Sequence, residues 1–322
     1  MEYRKSKQSA IAVSLLIIAL LLAGLWVFRF KTLALKPSVA TFDYPFINKA
    51  VTSNLGKHYI INFRPLKAEL EKIQRGYSQK TYIYFSYINN GSWIGLNERE
   101  EFVAASTLKV PLAMSLLKAV EDGALKPSDS YSLEDIDLSQ GFGDLYMAGK
   151  DEEFTVEELL EIMLKKSDNT AFNAILNIFR RIGIEDPLGQ VYGFLGWEFA
   201  SSIPELGEVP NYSKINLKTL SNIFIGLYDA KYITVDHSNK ILEYLASTPF
   251  SDKIAAGVPD GVMVSHKIGT ATFEKTFSDC GIIYAPNRNY ILCLGSNGAD
   301  ENTASKFMSE VSQAVYQYVI HN

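Results

Sequence analysis

The sequence predicts an α+β protein: an antiparallel five-stranded sheet flanked by helices, with an all-helical subdomain, preceded by one transmembrane helix. Three observations lead there. Strand-like runs sit at both ends of the globular part, TYIYFSY (81–87) and WIGLN (93–97) early, then VMVSHKIGT (262–270), CGIIYAP (280–286) and YILCLGS (290–296) late. Between them, from Ser106 to about Leu245, helical periodicity dominates. Far upstream, Ala10–Phe28 is nineteen residues without a charge, which as a helix spans about 28 Å, close to the hydrocarbon thickness of a bilayer.

That apolar run exceeds the usual apolar region of a cleaved signal peptide, about 7–15 residues, so residues 10–28 are expected as an anchor behind a short terminus, 1–9, with cleavage at the small residues near Ala40 as the alternative. Arg4, Lys5 and Lys7 precede it and Arg29, Lys31 and Lys36 follow it, a balance that does not orient the helix by charge. Residues 29–52 lack periodicity and contain Pro37 and Pro45, the composition of a stalk. The domain proper is expected over 53–322. It starts with a helix in INFRPLKAELEKIQ (61–74), where Leu66, Leu70 and Ile73 share a face. NNGS (89–92) then joins the first two strands as a tight turn. TVEELLEIMLKKS, AFNAILNIFRRI and LKTLSNIFIGLYDA supply the amphipathic helices of the middle, and FMSEVSQAVYQYVI closes the chain as a helix. Strands from both ends of the domain complete one sheet, which the helices cover.

The charge balance excludes one class of partner. The whole chain carries −5 and residues 1–36 carry +5, so residues 37–322 carry −10, a surface that repels phosphate backbones; nucleic acid is not expected as a partner. Cys280 and Cys293 lack metal-ligand spacing; they read first as two buried thiols, with a single disulfide as the alternative in an oxidising compartment. His58, His237, His266 and His321 are scattered, and His266 reads as a strand residue; no metal and no organic cofactor is expected.

Ser-x-x-Lys occurs twice in AASTLKVPLAMSLLKAV, at Ser106–Lys109 and Ser115–Lys118. Pro111 is best tolerated in the first turn of a helix, so the helix starts near Ser106. A hydroxyl there sits among unpaired backbone N–H groups at the positive end of the dipole, where a developing oxyanion is stabilised. Lys109, one turn on, is within reach of that hydroxyl and acts as a base if burial lowers its pKa. Ser115 falls mid-helix on the opposite face, where it and Lys118 read as structural.

Two further stretches join Ser106 and Lys109: Ser167-Asp168-Asn169 between two helices, and Lys267-Ile268-Gly269-Thr270 in a strand. In this order and at these separations the three resemble the S-x-x-K, S-D-N and K-T-G motifs of class A β-lactamases and related penicillin-binding proteins, over roughly residues 60–320. The resemblance implies a β-lactamase/transpeptidase-like fold and a serine hydrolase. Ser106 would be the nucleophile that becomes acylated, Lys109 would accept or relay its proton, and Ser167 would protonate the leaving nitrogen in the field of Lys267. Asn169 would hold the substrate's amide, the N–H groups of Ser106 and Thr270 would form the oxyanion hole, and Gly269 would let substrate approach the strand. It also implies a β-lactam or peptidoglycan-peptide substrate and a monomeric domain on the outer side of the cell membrane, with residues 1–9 cytoplasmic.

The sequence departs from the family in the loop that carries its deacylating Glu. The aligned stretch reads Ile203-Pro204-Glu205-Leu206-Gly207, leaving Glu205, or Glu198 upstream, as the candidate base that activates water. Ile268 replaces a hydroxyl residue and Cys280 stands where many members have Arg, both of which help bind the substrate carboxylate in the family; Lys253 is a candidate compensating charge. Efficient penicillin hydrolysis is therefore not expected. The alternatives are a D-Ala-D-Ala carboxypeptidase or penicillin-binding protein that deacylates slowly, and a non-catalytic wall-sensing module.

Overall fold

The structure is a computed structural model that describes Phe46, residues 61–196 and residues 213–322. The apolar run 10–28, Glu198 and Glu205 lie outside these residues; among the described residues no helix is long and apolar enough to cross a membrane. Phe46, counted above in the stalk, is instead buried: its ring meets Tyr284 edge-on at 5.5 Å and its carbonyl accepts the Tyr284 hydroxyl.

Helix α1 (Arg64–Arg75) holds Pro65 in its first turn and buries Leu66 and Leu70. Strands β1 (Lys80–Tyr87) and β2 (Ser92–Leu96) form the first hairpin, and β3 (Phe102–Val103) leads to a 3-10 turn at Ala105–Leu108. Helix α2 (Lys109–Glu121) follows, with every residue from Lys109 to Leu117 buried, the mark of a central helix surrounded by others. The middle continues with β4 (Ser130–Ser132), β5 (Glu153–Thr155), α3 (Val156–Lys165), α4 (Asn169–Arg181), α5 (Pro187–Leu195), β6 (Lys214–Ile215), α6 (Leu217–Tyr228) and α7 (Val235–Ala246). The chain returns to strands in β7 (Val264–Ala271), β8 (Thr276–Ile283) and β9 (Tyr290–Asn297), then ends in α8 (Glu301–His321).

The five long strands form one antiparallel sheet in the order β2-β1-β9-β8-β7, so both ends of the domain complete it as expected and β7 lies at an edge. The middle is not purely helical. β3 pairs with β6 and β4 with β5, elements of two or three residues that fall below the window in which alternation can be read.

Side chains alternate across the sheet. Tyr82, Tyr84, Cys280, Ile282, Ile291 and Cys293 face the core shared with α2, α3, α4, α6 and α7, while Ile83, Phe85, Phe277, Leu292 and Leu294 face a second core under α1 and α8. Covering both faces explains why β1, β8 and β9 are buried almost end to end rather than at alternate residues. Cys280 and Cys293 are register partners on β8 and β9, and they are joined as a disulfide rather than left as two thiols.

Candidate active site

Ser106 lies in the 3-10 turn between β3 and α2. Ala105 before it takes φ +46°, a left-handed conformation that costs a residue with a Cβ roughly 1–2 kcal/mol. Thr107 is buried and donates its hydroxyl to the Ala104 carbonyl at 2.6 Å, which fastens the turn. Lys109, the first residue of α2, reaches back so that its Nζ is 2.9 Å from Ser106 Oγ.

Ser167 sits at the junction of α3 and α4. The Thr155–Glu158 capping box starts α3, and Asp168 caps α4 by accepting from Ala171 N–H. The other Asp168 oxygen accepts from Leu145 N–H at 2.9 Å, and a Cβ on Gly143 (φ +86°) would fall 1.9 Å from it, so that position needs glycine. Between these anchors Ser167 is fully buried at φ +56°. Strained backbone at a serine held this firmly is a mark of functional sites.

Two amines converge on the Ser167 hydroxyl. Lys267 Nζ from β7 donates to Ser167 Oγ at 2.7 Å and to the Ile268 carbonyl at 3.2 Å. Lys109 Nζ lies 3.5 Å from the same Oγ, 2.8 Å from the Ser167 carbonyl and 2.7 Å from Asn169 Oδ1. Because the Asn169 oxygen accepts from Lys109, its NH2 group is the part left to donate. Both lysines are about 2% exposed. Burial pushes Lys109 down to about 7, with the Asp168 carboxylate opposing. Burial and then the charge of Lys109 hold Lys267 well below the ordinary lysine range, Asp279 opposing.

Gly269 has a packing part besides the one expected of it. A Cβ there would come within 2.5 Å of Ser278 Oγ and 3.0 Å of both the Ala104 carbonyl and Thr107 Cγ2. Its bareness lets β7 press against the turn that carries Ser106. Thr270 follows on the same edge strand, and its Oγ1 is buried without a hydrogen-bond partner among the described residues. Lys253 does not serve the site: buried, it is bound to Asp252 and Glu301 at 2.7 and 3.1 Å. Ser115 gives its hydroxyl to the Pro187 carbonyl and Lys118 pairs with Asp122, both structural. His266, in β7, pairs with the buried Asp279 at 2.8 Å.

Sequence reasoning missed three aromatic residues. Phe172 lies 5.7 Å from Lys109 Nζ, Phe250 lies 6.0 Å from Lys267 Nζ, and Phe142 meets Phe250 edge-on at 6.1 Å. Glycines on both sides of Phe142 were the one local signal; nothing in the sequence marks Phe250. Among the described residues, no group of three or more His, Cys, Asp or Glu side chains is placed to hold a metal ion.

The arrangement is a continuous path from an alcohol to an amine with a pKa near neutrality, then to a second alcohol and a second amine. Such a path suits acyl transfer, in which one hydroxyl attacks while another delivers a proton. Comparison with known proteins agrees. Beta-lactamase 3 of Bacillus cereus is 26% identical over 246 residues, 72% of this chain and 73% of that protein. A β-lactamase of Bacillus licheniformis is 25% identical over 262 residues, 78% of this chain and 82% of that protein. Among solved structures, PBP-A superposes with a TM-score of 0.70 at 20% identity, covering 82% of this chain and 98% of its own. A β-lactamase from Xanthomonas campestris pv. campestris gives 0.69 at 20% identity, covering 81% and 100%. The profile of the β-lactamase enzyme family spans residues 65–319, nearly the whole described domain, and the chain belongs to that family.

Proposed function

We propose that the chain is a serine acyl hydrolase that forms an acyl-enzyme on Ser106 with a β-lactam amide or a related D-alanyl peptide. One observation carries this reading: the unbroken contacts Ser106 Oγ, Lys109 Nζ, Ser167 Oγ and Lys267 Nζ at 2.9, 3.5 and 2.7 Å. Neutral Lys109 takes the Ser106 proton as Oγ attacks the carbonyl. The oxyanion forms beside the backbone N–H groups of Ser106 and Thr270, at the start of α2. As the intermediate collapses, Ser167 gives its proton to the leaving nitrogen and is resupplied by Lys109, with Lys267 orienting its hydroxyl. A mutant of PBP-A has been solved as an acyl-enzyme complex with penicillin G, which supports the same covalent chemistry here.

Prolonged incubation with a fluorescent penicillin, followed by denaturing electrophoresis, tests the assignment. Wild type is expected to carry a covalent label and Ser106→Ala none; equal labelling of the two refutes the nucleophile.

A second reading, a penicillin-binding carboxypeptidase with slow deacylation, draws support from the stretch Ile203-Pro204-Glu205-Leu206-Gly207, where the deacylating Glu of the family is displaced. Among the described residues the hydrogen bonds of Lys109 go to two serines and an asparagine. If Glu205 activates the deacylating water, Glu205→Gln lengthens the life of the label and Glu198→Gln does not; a short-lived label in both variants removes both glutamates from the role. We place the domain outside the cytoplasmic membrane, held by residues 10–28. Support for that placement is the uncharged run itself and the location of such substrates, and recovery of the full chain in the soluble fraction of lysed cells would refute it.

A further inference from the structure

The edge of the sheet away from β7 carries an aromatic platform that the acyl-transfer chemistry does not use. Along β2, Ile94 is buried in the second core, so its neighbours Trp93 and Gly95 point to the other face. There the Trp93 ring stacks on Tyr84 of β1, with centroids 6.0 Å apart and planes 24° from parallel. Tyr84 is 1% exposed, whereas Trp93 is 52% exposed. One side of the indole therefore rests on a fixed ring, and the half of the residue that meets water is the opposite face with its edges. A large aromatic held in place and left open in this way is uncommon, because covering it would be favourable.

Polar groups stand at the rim of that platform. Lys218, near the start of α6, donates to the Tyr84 hydroxyl at 2.9 Å, and its Nζ lies 5.9 Å from the Trp93 ring. The Glu98 carboxylate lies on the bare strand at Gly95, where a Cβ would come within 2.6 Å of its Oε2; its other oxygen is 3.7 Å from Arg99 Nε. The Glu98 carbonyl accepts from Lys218 N–H at 3.2 Å, which ties carboxylate and ammonium to one corner. Among the described residues, the other exposed large apolar side chains, Ile136, Met147, Phe194, Met263 and Phe273, all lie off β1, β2 and α6. The apolar surface here is one residue wide, well below the few hundred Å² of a protein or lipid contact.

A ligand that fits is apolar over the area of one ring and polar all round it. A pyranose with equatorial hydroxyls has that form. Its C–H bonds stand above and below the ring and are drawn to the negative face of an indole. Its hydroxyls point sideways, where Glu98 accepts and the remaining N–H groups of Lys218 donate. The carboxylate at the rim and the −10 carried by residues 37–322 disfavour an acidic sugar. We propose that Trp93, with Glu98 and Lys218 at its rim, is a carbohydrate-binding site for a neutral β-linked polysaccharide. The site does not depend on the acyl-hydrolase reading, since none of its residues touches the reacting groups.

Isothermal titration of the full chain with chitohexaose, in a detergent without a sugar headgroup, tests this. Wild type is expected to bind, and Trp93→Ala to bind roughly tenfold or more weakly, the scale of one lost aromatic contact. Trp93→Tyr should keep most of the affinity. Glu98→Ala, which leaves the ring in place, should lose several-fold through the missing acceptor. Ser106→Ala should bind the sugar as wild type does, and Trp93→Ala should take the fluorescent penicillin label as wild type does. No binding by wild type, or unchanged affinity in both Trp93→Ala and Glu98→Ala, overturns the proposal. So does tighter binding of a hyaluronan hexasaccharide, which carries carboxylates, than of chitohexaose. A wild-type dimer in sedimentation that Trp93→Ala turns into a monomer also overturns it, the ring then being a contact between copies. Absence of the penicillin label with sugar binding intact overturns the acyl-hydrolase reading alone.

Discussion

Two amines that share one hydroxyl in a dry site cannot both stay charged at little cost, and the one that gives up its proton becomes the base. Lys109 is pushed down to about 7 chiefly by burial. Below that pH it carries a proton and cannot take the one on Ser106; above it, the neutral amine can. Acylation by penicillin should therefore rise with pH through about 7 and level off, read as labelling rate between about pH 5 and 9. A flat profile across that window would remove Lys109 from the role. The linkage has a definite sign. The unfolded chain keeps this proton to 10.5, the ordinary value, while the folded chain releases it near 7. Between these values the unfolded state binds more protons, so this group makes stability rise with pH there and fall as pH drops toward 7. The base thus costs the fold something at neutral pH, a common relation between stability and activity.

At the scale of elements, the site is made by three segments pressed together without a Cβ at one critical point. If Gly269 is what lets β7 meet the Ser106 turn, Gly269→Ala must push them apart, because the nearest atoms include the Ala104 carbonyl, which is backbone. Expected are a loss of about 1–3 kcal/mol in urea unfolding and a fall in labelling rate of about tenfold or more, since small misplacement of reacting groups is costly. Unchanged labelling would show that the close approach does not position the nucleophile. Sequence made part of this legible. Ser106 and Lys109 could be singled out because a helix start signal is local, and Ser167, Asn169 and Lys267 because their motifs, in that order and at those separations, resemble those of a known family. The long strands were readable for the same reason, since TYIYFSY and YILCLGS carry their apolar character within a few residues. What remained hidden depends on tertiary contact. Ala105 and Ser167 are left-handed without any glycine to announce it, Gly269 presses on a turn from a distant segment, and Phe142 and Phe250 meet only because two distant loops converge. The pairing of β3 with β6 was equally invisible, being two residues on each side.

For the whole molecule, the sheet separates chemistry from ballast. Lys267 and Gly269 project from β7 toward Ser167 and the Ser106 turn, the face packed by α2, α3 and α4. On the other face α1 and α8 bury Leu66, Leu70, Phe307, Met308, Val311 and Val315 against β1, β8 and β9. That second core contains none of the groups that touch the reacting atoms, yet it holds the five strands flat against their helices. Removing one of its large side chains should therefore lower stability and leave the chemistry alone. Phe307 is fully buried and meets the Tyr77 ring at 5.1 Å, so Phe307→Ala is expected to cost about 3–5 kcal/mol. The reading is a lower urea midpoint for Phe307→Ala alongside a labelling rate per folded molecule equal to wild type, measured where both proteins remain folded. Gly269→Ala should show the opposite balance, with a smaller shift in midpoint and a larger loss of rate. If Phe307→Ala slowed labelling while fully folded, the two faces of the sheet would be mechanically coupled, and the site could no longer be treated as the product of the helical face alone.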